Sequence, residues 1–184
     1  MDKSYAAWAA RWRVPLGFAL GVAFLVWSRP GMLLLVAGGL VALVGLLVRG
    51  AAAGYLEKGR TLATAGPYRF TRNPLYLGSF IIGAGLAVAG GSWPLAGAFL
   101  ALYIAVYAPV MQREQATLGS QFGERFERYA SSVPLFFPSL SKRGTGLAVH
   151  EGFRWERYRK NREYEAALGY ALVMLFLAVK MLLS

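Results

Sequence analysis

The chain has 184 residues, 57% of them hydrophobic and only 16% charged, with a formal net charge of +11. Soluble domains carry roughly 25% charged residues, so this balance excludes an ordinary soluble enzyme, and the aromatic content excludes a disordered chain. The absence of cysteine and the single histidine, His150, exclude disulfides, thiolate catalysis, Fe–S clusters and multi-histidine metal sites.

In chain order, residues 14–28 form the first predicted membrane helix, short for a crossing unless Trp8 and Trp12 extend it into the interface. Lys3, Arg11 and Arg13 precede it, as in a secretory leader. Trp27-Ser28-Arg29-Pro30 offers no small-x-small cleavage site, so we read an uncleaved anchor. Residues 32–48 give the second helix. Leu75 to Val110 runs 36 residues without one charged side chain. It is broken at Gly90-Gly91-Ser92-Trp93-Pro94, which predicts helices over 75–90 and 93–110 joined by a tight turn. Residues 165–183 give the last helix, whose apolar run from Ala166 to Leu183 is interrupted only by Lys180. A soluble chain of this length could not hide such segments as core hairpins. The expected fold is an all-α integral membrane protein, one domain over 1–184, with about five transmembrane helices.

The basic residues then fix the topology. Three Lys or Arg precede the first helix, one lies between the first and second, five between the second and third, none between the third and fourth, and ten between the fourth and fifth. With a cytoplasmic N-terminus, 18 of the 20 lie inside. Such charge sets orientation and attracts anionic head groups, so no nucleic-acid partner is needed to explain it. Segments 49–74 and 111–163 share the cytoplasmic face, and the compact chain suits a bacterial inner membrane.

On that face, residues 112–130 read as one amphipathic helix, with Leu118, Phe122, Phe126 and Tyr129 on a single stripe. Val133-Pro134-Leu135-Phe136-Phe137-Pro138 is too proline-bounded to continue it and is apolar enough to dip into the interface or close a pocket. Residues 139–148 read as a flexible connection, and 151–165 as a second amphipathic helix running into the last membrane helix. Arg159, Asn161, Arg162 and Glu163 sit where that helix could cover a pocket or lie on anionic lipid.

Two places carry possible chemistry. The stretch from Gly66 to Gly78 crowds Arg69 and Arg72, two prolines, Tyr68 and Tyr76 at the mouth of the third helix. Tyr and Arg anchor at membrane interfaces, but arginines also fork onto carboxylates, and tyrosines stack on purines or face cations. Glu114 stands at the membrane boundary of the fourth helix, where an ionisable group is a functional candidate. Gly83-Ala84-Gly85 and Gly90 lack the spacing and the strand of a nucleotide loop and read as helix packing.

Arg72-Asn73-Pro74-Leu75-Tyr76-Leu77-Gly78 resembles the R-H-P-x-Y-x-G motif of the isoprenylcysteine carboxyl methyltransferase family, which is related to the membrane phospholipid methyltransferases. Glu114, Gln115, Leu118, Phe122, Gly123, Phe126, Tyr129, Val133, Pro134 and Pro138 resemble that family's second motif. Asn73 stands for the motif's histidine, Gln115 for its second glutamate and Phe126 for a tyrosine. The resemblance implies an integral-membrane methyltransferase that uses S-adenosylmethionine in a cytoplasmic pocket and takes a lipophilic, membrane-embedded substrate.

On that resemblance the expected cofactor-binding residues are Tyr68, Arg69, Arg72, Asn73, Pro74, Tyr76, Gly78, Glu114 and Gln115, with Arg72 and Glu114 central to catalysis. Arg72, with Arg69, would hold the methionyl carboxylate. Glu114 would take the ammonium or ribose hydroxyls, and Tyr68 and Tyr76 would flank the adenine or sulfonium. No metal is called for. The acceptor would be a carboxylate or an amine. Two other readings stay open: an NADPH-dependent enzyme like the membrane sterol reductases, and a non-catalytic lipid-binding relative.

Overall fold

The computed structural model describes residues 3–57, 59–139 and 152–184. Among the described residues there is no strand, and the chain is an all-α membrane protein. The described residues form seven α-helices in order: α1 (Lys3–Trp27), α2 (Met32–Tyr55), α3 (Pro74–Ala89), α4 (Trp93–Phe122), α5 (Glu124–Ser132), α6 (Trp155–Lys160) and α7 (Tyr164–Leu183). A 3-10 turn, Gly66–Arg69, precedes α3.

Their exposed faces show what surrounds them. Leu33, Val36, Leu40, Val44 and Leu47 of α2 are all exposed at helical spacing. So are Leu168, Leu172, Leu175, Val179 and Leu182 of α7, and Val14, Phe18, Val22 and Val26 of α1. Apolar stripes of that length are not left facing water. α2, α4 and α7 are long and apolar enough to cross a membrane, whereas α3 and the apolar half of α1, Val14–Trp27, are shorter.

The most extensive interface joins α2 and α3, and glycine makes it. A Cβ on Gly38 would lie 2.4 Å from the Ala89 nitrogen and the Gly85 oxygen. One on Gly45 would lie 2.6 Å from the Ile82 nitrogen, and one on Gly78 would lie 2.8 Å from the Gly45 oxygen. Two glycines seven residues apart on each helix thus let two backbones touch, as small residues do in membranes. Gly83-Ala84-Gly85 is part of helix packing, as expected: Gly85 meets α2, and Gly83 faces Phe99 of α4. α1 packs on α4, and Tyr5 donates to the Ala105 carbonyl at 3.0 Å.

Three expected boundaries move. α2 continues seven residues past 48 to Tyr55, which places Arg49 inside the helix. α4 does not end at 110 but runs on to Phe122, because polarity marks the edge of the membrane and does not break helical hydrogen bonding. The expected single helix over 112–130 is therefore divided at Gly123, whose φ of 51° and ψ of −131° suit glycine alone. The apolar stripe survives the break. Leu118 and Phe122 of α4 converge with Phe126, Tyr129 and Val133 in one cluster.

The second amphipathic helix is also shorter than expected. α6 ends at Lys160, and Arg162 takes a left-handed φ of 57°. The Glu163 amide reaches back to the Tyr158 carbonyl at 3.4 Å and the Arg162 amide to Arg159 at 3.0 Å. This is the Schellman stop, with arginine where glycine is usual. Most of the flexible connection expected over 139–148, and His150, lie outside the described residues.

Candidate functional site

One end of the bundle gathers the C-terminal end of α2, the start of α3, the polar half of α4 and the α6–α7 turn around a cavity of about 640 Å³. The start of α3 is held from below. The Arg72 amide donates to the Pro134 carbonyl at 2.9 Å, and the Ser139 amide to Phe70 at 3.0 Å. The Asn73 side-chain amide donates to the Leu135 carbonyl at 2.9 Å, joined there by the Thr71 hydroxyl at 3.3 Å. The proline-bounded segment 133–138 thus docks on residues 70–73 and braces them from behind, contributing no residue of its own to the cavity lining. Tyr129 adds a hydrogen bond at 2.8 Å to the Tyr68 carbonyl.

Two parallel rungs then join this stretch to α4. Arg72 Nη1 donates to Gln115 Oε1 at 2.7 Å, and the Tyr76 hydroxyl donates to Glu114 Oε1 at 2.7 Å. Tyr76 also sets its ring edge against Tyr107, with centroids 5.7 Å apart, and its carbonyl accepts from the Tyr103 hydroxyl at 2.6 Å. Tyr76, Tyr107 and Glu114 therefore form one rigid corner of the cavity.

The charges divide into satisfied and unsatisfied sets. Arg49 grips Glu163 with two bonds, Nε at 2.9 Å and Nη2 at 2.7 Å, and its remaining nitrogen donates to Ser79. Glu57 is held by Arg157 at 2.8 Å and Arg60 at 3.3 Å. The carboxyl of Glu57 lies below its ordinary range, chiefly through the Arg157 bond. Among the described residues, no opposite charge lies within ion-pair distance of Arg72 or of Glu114. Moreover, Arg72 Nε and Gln115 Nε2 are buried donors without a partner. Each such donor costs about 1–3 kcal/mol if nothing meets it.

Burial lowers the Arg72 guanidinium somewhat but leaves it a cation at neutral pH. Burial also pushes the Tyr68 and Tyr129 phenols well above their ordinary value, so both stay neutral hydrogen-bonding groups.

Of the residues expected at the site, Tyr68, Arg72, Asn73, Pro74, Tyr76, Glu114 and Gln115 line the cavity. Arg69 does not: it ends the 3-10 turn exposed. Gly78 does not either, being buried in the α2–α3 seam against Arg49. Asn73 lines the wall with its amide donor already committed to Leu135. Asn161 and Glu163 line the cavity, whereas Arg159 and Arg162 are exposed and Arg162 pairs with Glu165. Arg49, Glu57 and Tyr107 also line it and were not anticipated. Arg49 carried a signal, as the one charged residue in an otherwise apolar helix.

The cavity is therefore a pocket at one end of a membrane bundle where, among the described residues, Arg72 and Glu114 have no ion-pair partner. The sequence model of the phospholipid methyltransferase family matches residues 30–125, which include both rungs.

The chain belongs to the phospholipid methyltransferase family.

The family match is to the second of the two groups named above, and it stops short of Tyr129, segment 133–138 and Glu163. Two curated relatives are similar over 85 residues. One is the nickel-cobalt-cadmium resistance protein NccN of Alcaligenes xylosoxydans xylosoxydans, 36% identical. The other is the cobalt-zinc-cadmium resistance protein CzcN of Cupriavidus metallidurans, 35% identical. The similar stretch covers 46% of this chain and 39% of each relative, so the chain spans about two fifths of their length. No solved structure matches the chain significantly.

Proposed function

We propose that this phospholipid methyltransferase family member transfers a methyl group from S-adenosylmethionine to a carboxylate or amine of a lipophilic, membrane-embedded acceptor. One observation carries the reading: Arg72 and Glu114 face one cavity without counter-charges and are held on adjacent rungs. A ligand that is itself a zwitterion satisfies both at once, and the methionyl end of this cofactor carries a carboxylate and an ammonium. Arg72 and Gln115, which both line the cavity, fit the carboxylate. Glu114 fits the ammonium or the ribose hydroxyls, and Tyr76 with Tyr107 offers aromatic surface beside it. Arg49 and Glu163, already paired, shape the wall.

The cofactor supplies a methyl group on a sulfonium, displaced in line by the acceptor. The chain's own contribution is alignment and exclusion of water. Arg72 fixes one end of the ligand, and the Tyr76–Glu114 rung fixes a second point, which restricts rotation in the pocket. Tyr68, neutral because it is buried, presents a ring without demanding a counter-charge. Glu114 is the cavity carboxylate free of any arginine, so it is the group available to receive a proton from an amine acceptor. We place the cavity and the N-terminus on the cytoplasmic side of a bacterial inner membrane, with α1 and α3 completing five crossings, because the basic segments collect at this end. The names of the two relatives speak of metal resistance. Among the described residues, no group of three His, Cys, Asp or Glu could hold an ion.

Isothermal titration of detergent-purified protein with S-adenosylmethionine, S-adenosylhomocysteine and NADPH tests the reading. The first two should saturate one site, and Arg72→Ala and Glu114→Ala should each weaken them by about tenfold or more, the loss of about one charge-assisted bond. Binding of NADPH alone would move the chain to the reductases. Unchanged affinity in both variants would sink the site assignment.

A further inference from the structure

The short helix α6 has two faces of different chemistry. Its inner face is strapped to the end of α2. Arg157 is buried and holds Glu57 at 2.8 Å, and the Asn161 side-chain amide caps the helix end by donating to the Ala53 and Leu56 carbonyls, each at 3.0 Å. The Arg154 amide donates to the Gly54 carbonyl at 3.0 Å, and the Phe153 ring packs so closely on Gly54 that a Cβ there has no room. Leu56, Glu57, Asn161 and Glu163 all line the cavity, so this strap is part of its wall.

The outer face is basic and aromatic. Residues two places either side of Arg157 lie about 160° round the helix from it, so Trp155 and Arg159 point the other way. Trp155 is 68% exposed, and Arg154, Arg159 and Lys160 are exposed beside it. Arg162 is paired with Glu165, but among the described residues these three cations have no ion-pair partner. The depth of this face follows from α7. Exposed Tyr164 extends the lipid-facing stripe of Leu168, Leu172, Leu175, Val179 and Leu182 by one turn, about 6 Å. α6 therefore ends at the edge of the hydrocarbon, where Trp and Tyr settle among the lipid head groups.

We propose that the outer face of α6 binds the anionic phospholipid head groups of the surrounding bilayer, and that this contact steadies the cavity wall strapped to its inner face. Arg154, Arg159 and Lys160 meet the phosphates, and Trp155 and Tyr164 seat the segment at the interface. Each Arg or Lys near an anionic surface is worth about fivefold in affinity, and a zwitterionic lipid offers no net charge to attract them. Arg157, Asn161 and Glu163 share one short segment with the three cations, so a head group that restrains one face restrains the other. The surface needs a bilayer at this depth and does not rest on the function proposed above.

The test uses the full chain as wild type, R154Q/R159Q/K160Q and the charge-preserving R154K/R159K. R125Q/R128Q, which removes exposed cations of α5, is the control. Circular dichroism and a monodisperse elution profile verify folding of each. Native mass spectrometry after incubation with equal amounts of phosphatidylglycerol and phosphatidylcholine counts the lipids retained. Hydrogen exchange of residues 53–57 and 160–164 is followed in nanodiscs of either lipid, and in phosphatidylcholine nanodiscs with added inorganic phosphate.

We expect wild type and R154K/R159K to favour phosphatidylglycerol by about tenfold or more, and the triple variant to lose most of that preference with the control unmoved. Exchange in both segments should slow in phosphatidylglycerol for wild type and not for the triple variant. Wild-type preference in the triple variant, or an equal loss in R125Q/R128Q, overturns the proposal. Preference without slowed exchange overturns the coupling to the cavity. Slowing by inorganic phosphate alone overturns the assignment to lipid and makes a soluble anion the ligand.

Discussion

Asn73 and Glu163 show how a residue's role depends on its partners. Asn73 occupies a position of the first motif, yet its amide is spent on the Leu135 carbonyl, so it ties segment 133–138 to the start of α3. Glu163 is only 6% exposed and depends on Arg49 for its charge. Removing one member of a buried pair leaves the other uncompensated, at a cost of about 3–5 kcal/mol, whereas replacing both is milder. Arg49→Met should therefore lower the thermal midpoint of the detergent-solubilised protein more than the double replacement Arg49→Met with Glu163→Leu. Equal or additive losses would show that the pair is not buried as described. The Glu57–Arg157 pair predicts a pH dependence. The folded carboxyl titrates below its ordinary value of 4.5, so the pair's contribution is complete at neutral pH. It is lost only as pH falls through the ordinary value towards the lowered one. Glu57→Gln should remove that acid sensitivity from the thermal midpoint between pH 6 and about pH 3.

Among the elements, the α2–α3 seam and the ends of α4 and α6 set the geometry of the cavity. The seam brings Arg49 beside Gly78 and Ser79, because backbones in contact leave no room for other side chains. Gly85→Ala would place a methyl 2.4 Å from the Ala42 nitrogen. The helices must separate, and we expect a loss of about 1–3 kcal/mol in unfolding free energy. Gly17→Ala, on α1, meets nothing within 4 Å and should be neutral or mildly stabilising. Thermal unfolding of the two variants side by side checks this, and equal behaviour would contradict the close approach. The ends of α4 and α6 matter for a different reason. Gly123 turns α5 so that Tyr129 reaches Tyr68, and the left-handed Arg162 turns Glu163 inward to Arg49. Glycine is a known punctuation mark, and Gly123 could have been suspected. An arginine at φ 57° carries no such mark, which is why the α6 stop was not foreseen.

Taken whole, the molecule is an asymmetric bundle, with an apolar end near Gly91 and Lys180 and a basic, cavity-bearing end. At the apolar end, the Arg29 amide donates to the Gly90 carbonyl at 2.6 Å, and Lys180 caps the Leu25 and Val26 carbonyls at 2.8 and 2.9 Å. The orientation proposed above puts that end outside. Since the chain has no cysteine, single replacements can be labelled without background. An impermeant maleimide should label S92C in intact spheroplasts and Q121C only in inverted vesicles. The reverse pattern would invert the topology and move the cavity to the other side.

The linear order of residues was enough for the class of molecule, the number and rough place of its apolar helices, the gathering of charge at one end, and the two motifs. Those properties are sums over neighbours in the chain: transfer of apolar side chains from water and the helical period both act locally. Which arginine is neutralised and which is not was decided only in three dimensions. Arg49 meets Glu163 across 114 residues and Arg157 meets Glu57 across 100, while Arg72 meets Gln115 across 43. Coulomb energy depends on distance in space and on burial, and neither is written along the chain. The uncompensated pair of Arg72 and Glu114 exists because the tertiary fold satisfied every other carboxylate lining the cavity first.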